Sequence, residues 1–183
     1  MVSPKSALMR VWDPLVRIAH WTLVASIITA WFTRHGGGKL HDWAGYTVLV
    51  VVALRIVWGF AGPVYARFTQ FVYSPSATLR YGQLVVAKRE PRYIGHNPLG
   101  GWMIVALLVT ALLTAASGWL YTTDRFWGLE WVETLHRWLT YLLLSLAALH
   151  VTGAIVESVR HHENLIASMM HGNKRAAGPD DVT

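Results

Sequence analysis

The chain has 183 residues, of which 54% are hydrophobic and only 14% are charged. This composition is too apolar for an ordinary soluble domain, and the length is too short for several domains. The lack of cysteine excludes disulfides, thiolate-ligated iron–sulfur clusters and the C-x-x-C-H attachment of a c-type haem. The net charge of +6 is distributed as in a membrane protein, so no nucleic-acid partner is expected.

Four apolar runs of membrane-spanning length predict an all-α integral membrane four-helix bundle in the lipid bilayer. The short alternating segments of a spanning barrel are not visible in the sequence. The predicted spans are residues 15–33, 41–60, 99–121 and 135–159, within one domain of residues 1–175. A polar C-terminal tail follows at 176–183, and the chain beyond Arg160 is expected to be partly disordered.

The first span carries His20 about one turn from its N-terminal end. It is too long for the core of a signal peptide and lacks an A-x-A-like site, so it is predicted to stay uncleaved. The second span starts at His41, and Gly45 one turn later leaves room for a bulky group beside the backbone. Arg55 follows fourteen residues after His41 on the same face. It either extends toward the lipid headgroups or pairs with an anion at the depth of His20.

The long connection, residues 61–98, holds five basic residues and a predicted short amphipathic helix on the membrane surface. Ser76 is the predicted cap of that helix, whose apolar side chains are Leu79, Leu84 and Val85. The third span has no histidine and no charge, but small residues suited to close helix packing stand near its ends: Gly100, Gly101, Ser117 and Gly118.

The fourth span places His136 and His150 in an otherwise apolar run. Fourteen residues of helix separate them by about 21 Å along the axis and about 40° around it. One helix face therefore presents an imidazole near each membrane surface, where ionisable residues are rare and usually partnered.

The basic residues predict the orientation by the positive-inside rule. The side with both termini and the long connection holds eleven: Lys5, Arg10, Arg17, Arg67, Arg80, Lys88, Arg89, Arg92, Arg160, Lys174 and Arg175. The short turns on the other side hold only Arg34, Lys39, Arg125 and Arg137. Both termini are therefore predicted in the cytoplasm, with the chain crossing the membrane several times.

With this orientation the span histidines form two pairs by depth, His20 with His150 on the cytoplasmic side and His41 with His136 on the periplasmic side. Two imidazoles from different helices are what a b-type haem with two axial ligands requires. Two haems b, ligated by these four histidines, are the predicted cofactors. Polar contacts between helices, or metal transport, are the alternatives, whereas zinc or di-iron sites would need further His or carboxylate ligands.

Five more histidines lie in loops or at helix ends, where solvated surface residues are the default: His35, His96, His161, His162 and His171. Two of them, His96 and His161, are candidates for lining a pocket on the cytoplasmic side, although their spacing does not require it.

Several ordered motifs extend along the chain: VWDPLVRIAHW, LRIVWGFAGPVYARFTQF, YIGHNPLGG, LHxxGxxxES and HHENLIASMMHGNKR. With these motifs the chain resembles the bacterial cytochrome b-561 family, which includes the cytochrome b subunits of nickel–iron hydrogenases. The resemblance implies a four-helix di-haem cytochrome, multi-pass in the bacterial inner membrane, that exchanges electrons with the membrane quinone pool. The family's histidines match His20, His41, His136 and His150, and the arginine of its R-x-x-W-G segment matches Arg55.

The function expected from this resemblance is electron transfer between a periplasmic redox protein, either a cytochrome c or a hydrogenase-like subunit, and quinone. Residues 122–134, with charged and aromatic side chains, are the expected docking surface. A superoxide oxidase that reduces ubiquinone is one rival, in which the basic residues of the periplasmic turns steer the anion. A membrane anchor subunit of a hydrogenase-like complex and an ion permease are the others.

Overall fold

The computed structural model describes residues 8–36 and 38–183, so Lys5 of the orientation count lies outside the described residues. Four long helices dominate it: α1 Pro14–Thr33, α2 Lys39–Ala61, α5 Pro98–Tyr121 and α6 Glu130–Arg160. All four are long and apolar enough to cross a membrane, which confirms the prediction of a helical protein with four candidate spans. At about 1.5 Å per residue they measure from about 30 to about 46 Å, against a hydrocarbon core of about 30 Å.

Short elements occupy the connection between α2 and α5 and the C-terminal segment. A 3₁₀ helix at Val64–Ala66 leads into α3 Phe68–Phe71 and α4 Pro75–Val86. After α6 come α7 Leu165–His171 and a strand, β2 Asn173–Arg175, which pairs with β1 Leu8–Arg10.

The chain divides into two compact units. Among the described residues, the terminal unit comprises 8–17, 58–104 and 149–183, and the central unit comprises 18–36, 38–57 and 105–148. Each of the four long helices contributes residues to both units.

Within the terminal unit, the segment after α6 is ordered by contacts with the start of the chain. Antiparallel pairing places Met9 opposite Lys174. The indole of Trp12 donates to the Ser168 hydroxyl at 3.2 Å, and its backbone N–H donates to the carbonyl of Gly172. The expectation of a partly disordered tail is therefore wrong for this segment, because strand pairing and a buried indole hold it.

A buried charged cluster joins the last residues of the chain to the connection before α5. The guanidinium of Arg92 donates to Glu163 at 2.8 Å and also pairs with Asp181, while Lys174 lies 3.4 Å from Glu163. Burial by itself raises the pKa of Glu163, but hydrogen bonds from Arg92 and the Arg175 backbone outweigh it, and the net pKa is lowered. Residues 176–183, expected to be only a polar tail, thus contribute Asp181 to this cluster.

The helix α4 confirms the short helix predicted before the third span but corrects its cap. The cap is Ser74, whose hydroxyl accepts from the backbone N–H of Ala77, and Pro75 opens the helix. The serine before Pro75 is the cap because proline is favoured at the first helical position, where its missing N–H is not needed. On the inner face of α4, the Tyr81 hydroxyl donates to Glu157 at 3.4 Å.

The predicted close packing of small residues is confirmed at two glycines. A Cβ at Gly101 would overlap the backbone of Phe71 within the terminal unit. A Cβ at Gly118 would lie 3.0 Å from Cε1 of His136 within the central unit. Each glycine therefore permits a contact that a side chain would push apart.

Candidate functional site

The central unit brings together His41 and His136, two of the histidines predicted to share a depth. His41 is the third residue of α2, and His136 lies near the start of α6. Their ring centroids are 6.2 Å apart, with 78° between the ring planes, and both side chains are half-buried.

The Nδ1 atom of each ring contacts a backbone carbonyl oxygen. Nδ1 of His41 lies 2.9 Å from the oxygen of Ala30, and Nδ1 of His136 lies 2.9 Å from that of Thr114. A carbonyl oxygen can only accept, so both Nδ1 atoms carry a proton, and in the neutral form of each ring Nε2 keeps its lone pair. This tautomer leaves Nε2 as the metal-binding atom of each imidazole.

The separation of the two rings suits two axial ligands of one iron. An imidazole nitrogen binds a transition metal at about 2 Å and the ring centroid lies about 1 Å farther back, so two opposed axial rings have centroids about 6 Å apart. The observed 6.2 Å agrees with that distance. Because the ring can rotate about the metal–nitrogen axis, an angle of 78° between planes is equally compatible.

Residues of α5 contact the imidazole of His136 on its Nδ1 side. The Ser117 hydroxyl lies 3.1 Å from Nδ1 of His136 and donates to the Thr114 carbonyl at 2.9 Å, so this hydroxyl and this carbonyl both contact that nitrogen. Gly118 leaves the space that the imidazole occupies. On the α2 side, a Cβ at Gly45 would meet no atom within 4 Å, so there is room beside the backbone one turn after His41.

The other predicted site residues lie in both units. His20 belongs to α1 in the central unit, where its ring meets that of Trp21 edge-on at 5.1 Å. His150 is half-buried on α6 in the terminal unit. Arg55 is buried on α2 in the central unit, with 6% of its surface exposed. The ligand assignments of His20 and His150 and the role of Arg55 stay predictions.

Two histidines that were expected to be solvated are engaged in the terminal unit. The ring of His96 lies between those of Trp12 and Phe71, at centroid distances of 4.6 and 4.9 Å. Nε2 of His161 lies 3.1 Å from the carboxylate of Glu157. The default of a surface histidine is therefore wrong for both, because folding of the terminal segments covers them.

Sequence reasoning did not find the residues that position these groups. Thr114 was not singled out and Ser117 was named only as a small residue suited to close packing, although hydroxyl side chains in an apolar run were the available signal. Glu157 also accepts from the Asn97 amide at 3.0 Å, and the two come from the quoted LHxxGxxxES and YIGHNPLGG motifs. Across residues 8–36 and 38–183, no three His, Cys, Asp or Glu side chains cluster as metal ligands.

Comparison with known proteins identifies the family. Residues 11–172 match the sequence profile of the prokaryotic cytochrome b561 family. The chain belongs to that family. No solved structure matches it.

Curated relatives of this b561-family chain include proteins named probable Ni/Fe-hydrogenase B-type cytochrome subunits. The one from Rhizobium leguminosarum bv. viciae is 25% identical over 211 residues, covering 90% of this chain and 87% of the relative. Those from Bradyrhizobium diazoefficiens and Azotobacter vinelandii are each 25% identical as well, covering 90% and 92% of this chain and 85% and 89% of the relatives.

Membership of the family makes the chain a multi-pass membrane electron-transfer protein of the cytochrome b type, whose cofactor is haem b. The paired imidazoles of the central unit fit such a group, because their ring centroids are 6.2 Å apart and their Nδ1 atoms are bonded to carbonyls, which leaves Nε2 of each neutral ring for a metal. Without cysteine, any haem is held by axial ligation and non-covalent contacts.

Proposed function

We propose that the chain passes electrons across the bilayer between a redox partner on the periplasmic side and the membrane quinone pool, using two haems b. The geometry of His41 and His136 is the observation that supports this most directly. Haem b, when bound, supplies a one-electron redox couple whose potential depends on its axial ligands and surroundings.

The first site would be held by His41 and His136. Their hydrogen bonds to the carbonyls of Ala30 and Thr114 fix the tautomer and the ring orientation before the cofactor binds. Both bonds also increase the electron density on Nε2, which favours ligation of the ferric state and lowers the potential.

The second site would be held by His20 and His150, on the argument from sequence depth. His150 is fourteen residues after His136 on the continuous helix α6, which is about 21 Å along the axis and near the same face. Buried Arg55 is fourteen residues after His41 on α2, and we assign it an anionic partner, either a haem propionate or a quinone headgroup.

The orientation places both termini in the cytoplasm, on the positive-inside rule. The turns beside His41 and His136 then face the periplasm and would dock the redox partner. In the second turn Trp127 and Trp131 are 69% and 55% exposed, which suits contact with another protein or with the membrane interface.

The relatives' names favour a hydrogenase-like partner. The length of this chain, however, differs from that of the relatives. The alignment with the Rhizobium protein runs over 211 positions, although this chain has only 183 residues. That relative therefore carries inserted residues for which this chain has no counterpart. A cytochrome c or a smaller hydrogenase-like subunit accordingly stays among the proposed partners.

The superoxide oxidase alternative depends on a positive field beside His41 and His136. Residues 34–42 and 122–137 hold four basic side chains, but also the acidic Asp42, Asp124, Glu130 and Glu133. One of the basic residues, Arg137, lies 3.9 Å from Glu133. This balance gives little steering of a small anion, so it favours a protein partner.

The decisive experiment is a pyridine haemochrome assay on detergent-purified protein, with variants of each histidine. We expect two haems b per chain, reduced to one by His41→Ala or His136→Ala. His20→Ala and His150→Ala should remove the other haem, and the exposed His35→Ala is the matched control that should keep both. A chain with no haem would contradict the proposal, as would loss of the same haem from His41→Ala and His20→Ala.

Rapid mixing distinguishes the possible reactions of the loaded protein. We expect long-chain quinone to reoxidise the reduced haem in proteoliposomes, and Arg55→Gln to slow that step or shift a haem potential. Superoxide should reduce the haem no faster in this protein than in the variant Arg34→Gln/Lys39→Gln. If superoxide reduces it rapidly and that variant is slow, the chain is a superoxide oxidase instead.

A further inference from the structure

A groove in the terminal unit runs along the outer face of α4 and the first turns of α5. Its volume is about 790 Å³, within the range of small-molecule sites. The lining is almost entirely apolar, formed by Pro75, Thr78, Leu79, Gly82, Gln83, Val86, Leu99 and Trp102. Neither the haem sites nor the electron-transfer proposal uses this groove.

The groove face of α4 points away from the protein. On the opposite face, Tyr81 is buried and bonded to Glu157, whereas Leu79 is 67% and Val86 is 86% exposed. An amphipathic helix with its apolar side turned outward is stable where hydrocarbon, and not water, meets that side. Leu99 and Trp102 belong to a candidate membrane span, so the groove is continuous with a lipid-facing surface.

The dimensions of the groove suit one hydrocarbon chain. From Pro75 to Val86 the helix rises about 16 Å, which is close to half of the bilayer's hydrocarbon core of about 30 Å and so to the length of one acyl chain. A Cβ at Gly82 would meet no atom within 4 Å, so the middle of the groove is open. The indole of Trp102 is held in the wall by donating to the carbonyl of Tyr73 at 3.1 Å.

Three basic residues lie close in sequence to residues that line this groove. Arg80 is adjacent to Leu79 on α4, and Lys88 and Arg89 follow Val86. In the described part of the chain, none of the three takes part in an ion pair. The neighbouring Glu90 is already paired with Arg160. The charge beside the groove is therefore positive and available to an anionic headgroup.

We propose that the groove binds an anionic phospholipid, with one acyl chain along α4 and the phosphate headgroup beside Arg80, Lys88 and Arg89. The site is independent of haem ligation and tethers the long connection to the membrane. Each basic residue near an anionic membrane surface favours binding about fivefold, so the three together give a clear preference over a zwitterionic lipid.

The test uses haem-loaded protein in phosphatidylcholine vesicles that contain either spin-labelled phosphatidylglycerol or spin-labelled phosphatidylcholine. We expect phosphatidylglycerol to be enriched in the motionally restricted lipid of the wild type. Arg80→Gln/Lys88→Gln/Arg89→Gln should abolish that enrichment, and the matched control Arg34→Gln/Lys39→Gln/Arg125→Gln should keep it. Gly82→Phe should fill the groove and lower the restricted fraction, whereas Gly38→Phe, also with open space at its Cβ, should not.

The outcomes decide the proposal. Equal restriction of the two lipids in the wild type would overturn it, as would equal loss in both charge variants, which would reveal only general electrostatic attraction. Displacement of the restricted lipid by long-chain quinone would make the quinone tail the occupant and would also overturn it. An unchanged haem spectrum in every variant confirms that the fold is retained.

The depth of α4 provides a second measurement, made possible because the chain has no cysteine of its own. A spin label on Leu79→Cys should be relaxed more by oxygen than by a water-soluble nickel chelate. A label on Lys88→Cys should show the reverse. A label at 79 that responds mainly to the nickel chelate would place the groove in water and contradict lipid binding.

Discussion

The two units hold their functional and structural side chains by different means. In the central unit, imidazoles are positioned by hydrogen bonds to backbone carbonyls, as for His136 on Thr114. In the terminal unit, charged groups are buried together, as for Arg92 with Glu163 and Asp181. Inside the spans, polar side chains thus find their hydrogen-bond partners on the backbone of the helices. The segments outside the spans lack a large apolar core and are held by ion pairs instead.

Breaking the charged cluster should give the largest effect. Arg92→Leu leaves Glu163 and Asp181 without their shared cation, and losing one partner of a buried pair costs about 3–5 kcal/mol. Thermal unfolding in detergent should show that loss in the terminal unit. Arg137→Gln removes an exposed pair and should change stability by less than about 1 kcal/mol. Equal effects of the two variants would contradict the difference between buried and surface pairs.

Crowding the imidazole in the central unit should come next. Gly118→Val adds a side chain where even a Cβ lies 3.0 Å from His136. Overpacking of this kind costs about 1–3 kcal/mol and should displace the ring, so that the haem spectrum of the His41–His136 site changes. Gly82→Ala, at a helix position with open space, is the control that should leave the spectrum unchanged. An unaltered spectrum in Gly118→Val would mean that His136 is not an axial ligand.

Acid should loosen the terminal unit first. The pKa values of Glu163 and Asp181 are lowered in the folded protein by hydrogen bonds and by the charge of Arg92, against the opposing effect of burial. A carboxylate whose pKa is lower in the folded than in the unfolded protein stabilises the fold at pH values above its unfolded pKa, which is 4.5 for Glu163. This stability is lost as the pH falls through the folded pKa.

Fluorescence unfolding measured between neutral pH and about pH 3 should therefore show decreasing stability below about pH 4.5. Glu163→Gln should flatten that dependence while lowering stability at neutral pH. A pH profile unchanged by Glu163→Gln would indicate that other carboxylates cause the loss.

The smallest predicted effect concerns the potential of the proposed His41–His136 haem. Ser117→Ala removes one contact at Nδ1 of His136 but leaves the Thr114 carbonyl in place. A hydrogen bond contributes about 0.5–1.5 kcal/mol, equivalent to about 20–60 mV for one electron. The potential should rise, because a less basic imidazole stabilises the ferric state less. Redox titration checks this, with Ser145→Ala, an exposed serine on α6, as the control.

Several features could be predicted from single residues and their spacing. The spans follow from apolar runs, because only a helix satisfies its own backbone in hydrocarbon. The pairing of His41 with His136 follows from depth, because the second and fourth spans both begin at the same membrane surface. The structure places these two rings side by side.

Other features escaped sequence reasoning because they depend on contacts between distant segments. Ser117 and Thr114 came to contact His136 only through the packing of α5 against α6. The tail of the chain became ordered only because Met9 of β1, 165 residues before Lys174, provides its strand partner and Arg92 provides its countercharge.

By itself, then, the sequence determined the candidate membrane helices, the absence of a C-x-x-C-H haem attachment and the positions of the histidines along those helices. These depend on composition and on the rise of one helix. The tertiary structure alone decided the tautomers of His41 and His136, the covered state of His96 and the outward groove of α4. Those depend on which backbone carbonyls, aromatic rings and helix faces come into contact in the folded protein. The spacing of residues along the chain does not specify these contacts.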